Sequence, residues 1–454
     1  MAMQDLTRGP VRGHLLRMSG FMLATMLVQS LYSLIDLFWV GRLGPQAIAA
    51  VSLGSNLMMA VMAFAQVLAV GVAALVSQAM GRQDKPAVRT MFNQSMLLSV
   101  GGGLLFGGTM WAGRGLYADA LSGDAETARL MRDFLFWFMP ALALQMPAMV
   151  LTAALRGVGN VKIASVMQVA TVLMNIVLAP ILIFGWGIGQ PLGVAGAALA
   201  TLISVALGLA AMLVHVARSG NFFDASATAW RPQLPVWKRM TGIGLPSGIE
   251  FALMGLYLIC VTALLRPFGS APQAAFGIGM RFLQLGMMPS MSVCFAAAAI
   301  VGQSFGARMP ERIAETWKRS MQLSIGGCMI FVLSFHLLPT WLFGLFTADA
   351  EVIRHGIEFL RLLSWNLLAS GLVFACLGVF SGLGNTRPSL IGSATRVALI
   401  LIPAAALSHL PGFVPVWIWW LSVFASSVQA LMNLWFLRRR LADVHLVTPA
   451  PRAA

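Results

Sequence analysis

A stretch beginning at Val76, VSQAMGRQDKPAVRTMFNQSM, returns in altered form at Val301 as VGQSFGARMPERIAETWKRSM. Gln78, Gly81, Ser95 and Met96 fall on Gln303, Gly306, Ser320 and Met321. The same separation carries Tyr32 onto Tyr257, Gly44 onto Gly269, and Ala49-Ala50 onto Ala274-Ala275. Further on it sets Asp124-Ala125-Glu126 on Asp349-Ala350-Glu351, and Gly157-Val158-Gly159-Asn160 on Gly382-Leu383-Gly384-Asn385. No gap interrupts the register, so whatever the first half folds into, the second half folds into as well. Internal repeats in a very apolar chain are a hallmark of secondary transporters, which rock two related halves about a site between them. The plainer reading is a duplication kept only for packing.

Composition fixes the solvent. The chain is 59% hydrophobic and 10% charged, with a mean hydropathy of +0.83, whereas soluble domains carry about 25% charged residues. A polytopic membrane protein is expected. It should be all-α, because a backbone in hydrocarbon must satisfy its own hydrogen bonds. A net charge of +15 would suggest nucleic acid in a soluble protein. Here the basic residues cluster in short loops, which reads as membrane orientation, and no nucleic-acid partner is expected. Cys260, Cys294, Cys328 and Cys376 lie in apolar stretches without paired spacing or flanking histidines. They read as helix-packing residues, not as disulfides or metal ligands. The first apolar run is long and leads into further membrane segments, unlike a cleaved secretory signal.

A spanning helix needs about 20 apolar residues, and roughly six such windows fit in each half by that measure. They centre near Leu27, Ala65, Leu104, Ala143, Leu178 and Ile203, then near Leu258, Met288, Phe331, Val373, Leu399 and Val423. The expected fold is therefore twelve transmembrane helices in two six-helix lobes related by a parallel repeat. Residues 1–217 form the first lobe, 218–240 a cytoplasmic linker, 241–440 the second lobe and 441–454 a tail. One side of this arrangement collects the basic runs at Arg8–Arg17, Arg82–Arg89, Arg218–Arg239, Arg308–Arg319 and Arg438–Arg440. The loops Gly185–Gly193 and His409–Pro415, on the other side, hold no Lys or Arg. Under the positive-inside rule both termini and the linker face the cytoplasm.

Ionisable residues within a bilayer cost about 2.5–3.5 kcal/mol each on insertion scales. Asp36, Glu250, Arg281 and Arg396 are the ones that ask for a reason. Asp36 sits near the outward end of the first helix, and its repeat counterpart is Val261. Counting from the turns at Gly41, Gly185 and Gly193 puts Asp36, Asn175 and Thr201 at similar depth, within about 15 Å of the outer boundary. A carboxylate, an amide and a hydroxyl so placed suit a proton or a sodium ion. The alternative is that Asp36 hydrogen-bonds a neighbouring helix. Glu250 lies near the cytoplasmic beginning of the seventh helix. It is a candidate second carboxylate, a proton carrier or a counter-charge, unless a nearby helix start simply satisfies it. Arg281 reads as an anchor or a partner for an acid. Arg396 reads as a side chain snorkelling to the cytoplasmic face.

These residues resemble a known family, the multidrug and toxic compound extrusion transporters of bacterial type. SLYSLIDLFWVGRLGPQAIAAVSL is similar to that family's first helix and following turn. VGVAALVSQAMGR and AAAAIVGQSFGAR are similar to the ends of its second and eighth helices. LRGVGN and FSGLGNTRPS resemble the turns leaving its fourth and tenth helices and PLGVAGAALAT the start of its sixth, and the likeness runs from about Gly13 to Arg440. It implies two six-helix lobes and export of amphipathic, often cationic compounds in exchange for protons or sodium. It also implies that Asp36, Asn175 and Thr201 form the cation site. Two positions depart from the family pattern. Ala179 stands where many members carry an acid or amide one turn after the asparagine, which favours proton over sodium coupling. Phe21 stands where a proline often follows serine–glycine, while the second copy keeps Pro246. A first helix without that proline has less reason to bend there.

Substrate chemistry is weakly encoded. The 29 methionines, 27 phenylalanines and 13 tryptophans suit promiscuous recognition of apolar cations, yet the same residues serve as lipid-facing filler. Met26, Gln29, Tyr32, Met58, Arg281, Met287 and Met288 are candidates for lining a central substrate cleft. No cofactor is expected, and no metal beyond a sodium ion at Asp36, Asn175 and Thr201. The expected setting is a bacterial inner membrane, and the expected state a monomer. A lipid-linked oligosaccharide flippase of the same superfamily would want a more basic cavity. A membrane-embedded enzyme would want a clustered nucleophile, base or metal site, and the six histidines are scattered.

Overall fold

Apolar runs of this length become helices because each backbone N–H then finds its acceptor within its own segment. The computed structural model describes residues 4–186, 189–218 and 230–447, with side chains to residue 442. Positions 219–229 of the linker and the end of the tail lie outside the described residues. The first copy holds α1 (Val11–Gly41), α2 (Pro45–Gly81), α3 (Lys85–Leu121), α4 (Ala125–Gly157), α5 (Val161–Phe184) and α6 (Gly193–Arg218). The second holds α7 (Leu234–Leu265), α8 (Ser270–Gly306), α9 (Pro310–Leu337), α10 (Pro339–Gly344), α11 (Ala350–Leu363), α12 (Trp365–Leu383), α13 (Arg387–Leu407) and α14 (Pro415–Val447). Twelve of these are long and apolar enough to cross a membrane, and each of the twelve expected centres falls inside one of them. No strand occurs among the described residues.

The copies differ where one residue changes the local rule. Pro339 has no N–H to continue α9, so the stretch matching the end of α3 breaks off and restarts as the short α10. The match to α4 is divided at Ser364 into α11 and α12, although α4 itself runs unbroken through Pro140 and Pro147.

Elsewhere the repeat holds down to backbone detail. Gln83 (φ 60°) and Arg308 (φ 58°) are the non-glycine residues with positive φ among the described residues, and they occupy equivalent turns after α2 and α8. Gly44 and Gly269, and Gly159 and Gly384, likewise share positive φ. Gly157 packs with its Cα against the Ala73 carbonyl, where a Cβ would sit at 3.1 Å. Gly382 packs the same way against the Ala298 carbonyl, at 2.7 Å. The repeated Asp-Ala-Glu becomes a helix start twice: Asp124 accepts from the Thr127 N–H, and Asp349 from those of Glu351 and Val352. The Thr127 hydrogen bonds hold the Asp124 carboxyl below its ordinary pKa.

The chain forms two compact units. The first takes Phe21–Gly244 with the residues up to Asp5, and the second takes Leu6–Gly20 and Leu245 onward. The boundaries thus fall inside α1 and α7, at nearly equivalent positions, instead of at the linker. In the first unit α4 is the hub, packed on α2, α3 and α6. Phe134, Leu135, Met139 and Ile183 are among the side chains of one buried core, and Val72, Phe92, Leu151 and Met240 of another. In the second unit α12 takes that place, packed on α8, α9 and α14. Leu104, Leu105, Ile259 and Leu431 stay exposed, as suits helices solvated by lipid. Arg42 lies over the Phe38 and Trp39 rings and Arg439 over Trp435, the aromatic–basic pairing found where helices leave a bilayer.

Candidate functional site

On α1, Gln29, Tyr32 and Asp36 recur at steps of three and four residues and so share one face, with Met26 about a quarter turn away. Tyr32 and Asp36 are half-buried. The Tyr32 hydroxyl hydrogen-bonds Thr201 on α6 and lies in the field of the Asp36 carboxylate. Asn175 on α5 donates from Nδ2 to Thr201 Oγ1 at 3.2 Å, and Thr201 Oγ1 in turn donates to the Ala197 carbonyl at 3.1 Å. The structure therefore pairs Asn175 with Thr201 directly, and Asp36 connects to them through Tyr32, its neighbour one turn earlier on α1. Tyr32 joins them, so its place is in this cluster and not simply among the cleft-lining residues. That role was readable from its spacing to Asp36.

One oxygen here has no donor, and a second lacks its helical one. Asn175 is 4% exposed, and its Oδ1 has no hydrogen-bond partner. Pro180 inside α5 lacks an N–H, which leaves the Ile176 carbonyl without its helical donor. No described Lys, Arg or His forms an ion pair with Asp36, whereas Arg129 and Arg132 pair with exposed acids. A half-buried carboxylate that forms no ion pair, linked through Tyr32 to groups with a spare accepting oxygen, is an arrangement that takes up a small cation. Ala179 is buried and adds no ligand. Among the described residues no cluster of three or more His, Cys, Asp or Glu could hold a metal.

The second unit builds its own polar cluster. Ser393 Oγ on α13 donates to Glu250 Oε1 at 3.2 Å, and Gln429 Nε2 on α14 donates to Ser393 Oγ at 3.0 Å. Ser389 is a further hydrogen-bond neighbour of the Glu250 carboxyl. Asn433, fully buried, has neither amide atom paired and lies against Gly392. Sequence reasoning missed these four. The signal was there: Ser389 and Ser393, and Gln429 and Asn433, are polar pairs four apart on otherwise apolar helices. Arg396 does not snorkel freely. Its guanidinium lies over the Tyr257 ring at 5.5 Å, with Nε buried and unpaired. Glu250 sits eleven residues before Val261, the counterpart of Asp36, so in the register of the repeat the two acids occupy positions about 16 Å apart along equivalent helices. Met58 and Arg281 are exposed on α2 and α8, and Met287 and Met288 are half-buried on α8.

A family model described as MatE matches residues 22–181 and 246–407, one match in each copy. The chain belongs to the MatE family. Among MatE relatives, the multidrug export protein MepA of Staphylococcus aureus is 24% identical over 446 residues, covering 96% of each chain. A probable multidrug resistance protein NorM of Rhizobium meliloti is 25% identical over 436 residues, covering 94% of this chain and 92% of its own. A solved structure titled as the outward-facing conformation of a multidrug resistance MATE family transporter of the MOP superfamily matches with a TM-score of 0.89 at 24% identity. The match covers 97% of this chain and 98% of that one, and it fixes the MatE fold.

Proposed function

We propose that this protein is a multidrug efflux antiporter of a bacterial inner membrane. It exports amphipathic, often cationic, organic compounds and takes up protons at Asp36. The family and the names of its relatives support the transport class and speak against an enzyme. The observation that carries the coupling step is the chain Asp36–Tyr32–Thr201–Asn175: one carboxylate that forms no ion pair with a described residue, linked through Tyr32 to Thr201 and to Asn175, whose Oδ1 is unpaired. A proton needs only that carboxylate, and the energetics suffice. One charge moving through 100 mV yields about 2.3 kcal/mol, and each pH unit adds about 1.4 kcal/mol. Sodium is the second reading. The unpaired Asn175 Oδ1 and the Ile176 carbonyl favour it, and the missing ligand at Ala179 opposes it. The basic loops orient both termini to the cytoplasm, and each polar cluster lies within one unit of one chain, which supports a monomer. The deciding experiment uses proteoliposomes loaded with a lipophilic dye. Efflux should follow an imposed pH gradient in sodium-free buffer. Efflux driven by a sodium gradient at uniform pH, and not by the pH gradient, would overturn proton coupling.

A further inference from the structure

In the first unit α3 and α6 both pack on α4, and beside them lies an apolar groove of about 380 Å³. Phe92, Met96 and Val100 of α3 form one wall, Leu213, Val214 and Ala217 of α6 the other, and Trp230 closes one end. Trp230 is held in place. The fully buried Gln94 amide donates from Nε2 to the Arg231 carbonyl at 2.8 Å and accepts from the Gln233 N–H at 2.9 Å, which fastens residues 231–233 onto α3. Each part of the groove ends in a basic residue. Arg89 is one turn before Phe92, Arg218 follows Ala217, and Arg231 follows Trp230. The acid at this end of α3, Asp84, is engaged in capping the helix through the Ala87 N–H.

We infer that this groove binds one acyl chain of an anionic phospholipid, with its headgroup held by Arg218 and Arg231. The described lining side chains are apolar, and the volume lies in the range of small-ligand sites. Arg218 and Arg231 are exposed, and α6 ends at Arg218, where a lipid headgroup would lie. Basic residues between transmembrane helices at a membrane surface select anionic headgroups. The same charges repel a cationic export substrate, and the described residues that line the groove include no carboxylate to offset them.

Native mass spectrometry of the detergent-purified full chain, titrated with phosphatidylglycerol or phosphatidylcholine, tests this. One phosphatidylglycerol should be retained in preference to phosphatidylcholine. In Arg218→Gln/Arg231→Gln the preference should fall by about fivefold per arginine removed. Ala217→Trp, at an exposed position on the wall, should fill the groove and abolish retention of the bound lipid. Gel filtration and circular dichroism of both variants establish that they are folded. Equal retention of the two lipids by the wild type overturns the inference, as does an unchanged preference in folded variants. A lipophilic cation such as ethidium, bound by the wild type and lost in Ala217→Trp, would assign the groove to cargo and also overturn it.

Discussion

Asp36 is the residue on which coupling turns in the proposed mechanism, because its cluster holds the one acid at that depth. Asp36→Asn keeps the size of the side chain and removes the titratable group. Dye efflux driven by a pH gradient should vanish while the protein remains in the membrane at its normal level; unchanged efflux across pH and sodium would remove Asp36 from the mechanism. Tyr32→Phe keeps the ring and deletes the hydroxyl bonded to Thr201. One hydrogen bond is worth about 1 kcal/mol net, so the proton concentration at half-maximal efflux should move about fivefold. Ala179→Asp restores the oxygen ligand missing one turn from Asn175. It should raise the response of efflux to a sodium gradient, measured at constant pH. Asp36, Asn175 and Thr201 are legible in the sequence because counting from glycine turns gives depth. The Glu250 partners are legible only as polar pairs four apart on α13 and α14, and that spacing does not say that Ser393 meets Glu250 on α7 or that Gln429 meets Ser393.

At the scale of elements, the duplicated close approaches can be compared directly. A Cβ on Gly157 would come within 3.1 Å of a carbonyl, and one on Gly382 within 2.7 Å. Both contacts involve backbone, which yields less than a flexible side chain. Gly382→Ala should therefore lower the melting temperature in detergent more than Gly157→Ala; the reverse order would show that α8 gives way more easily than α2. Gln83 and Arg308 hold left-handed backbone that costs a side-chain-bearing residue about 1–2 kcal/mol. Gln83→Gly and Arg308→Gly should each raise the melting temperature, and the two gains should add, since the sites lie in separate turns. The helices themselves are legible because apolar length suffices to specify a span. The breaks at Leu338 and Ser364 are less so: Pro339 announces the first, whereas the second involves no proline, and α4 carries two prolines without breaking.

For the whole molecule, the basic-loop asymmetry makes one global prediction. A reporter that works only outside the cell, fused after Arg440, should be silent, and one placed in the Gly185–Gly193 loop should be active. Activity after Arg440 would overturn the cytoplasmic placement of that end. The two-unit division is the part of the architecture that hydropathy does not show, since it cuts α1 after Gly20 and α7 after Gly244, in the middle of continuous apolar runs. It follows the packing of the first residues. Leu6 is fully buried in the second unit and donates its N–H to Gln303 Oε1 at 2.9 Å. The Arg312 guanidinium donates to the carbonyls of Leu6, Arg8 and Gly9. Leu6 and Arg312 are 306 residues apart. A ribosome adding about 5–20 residues per second needs roughly 15–60 s to cover that distance. The opening segment of the protein therefore emerges, and its helix enters the membrane, long before its docking partner has been synthesised. In a pulse–chase experiment its resistance to protease should develop only after the rest of the chain is complete.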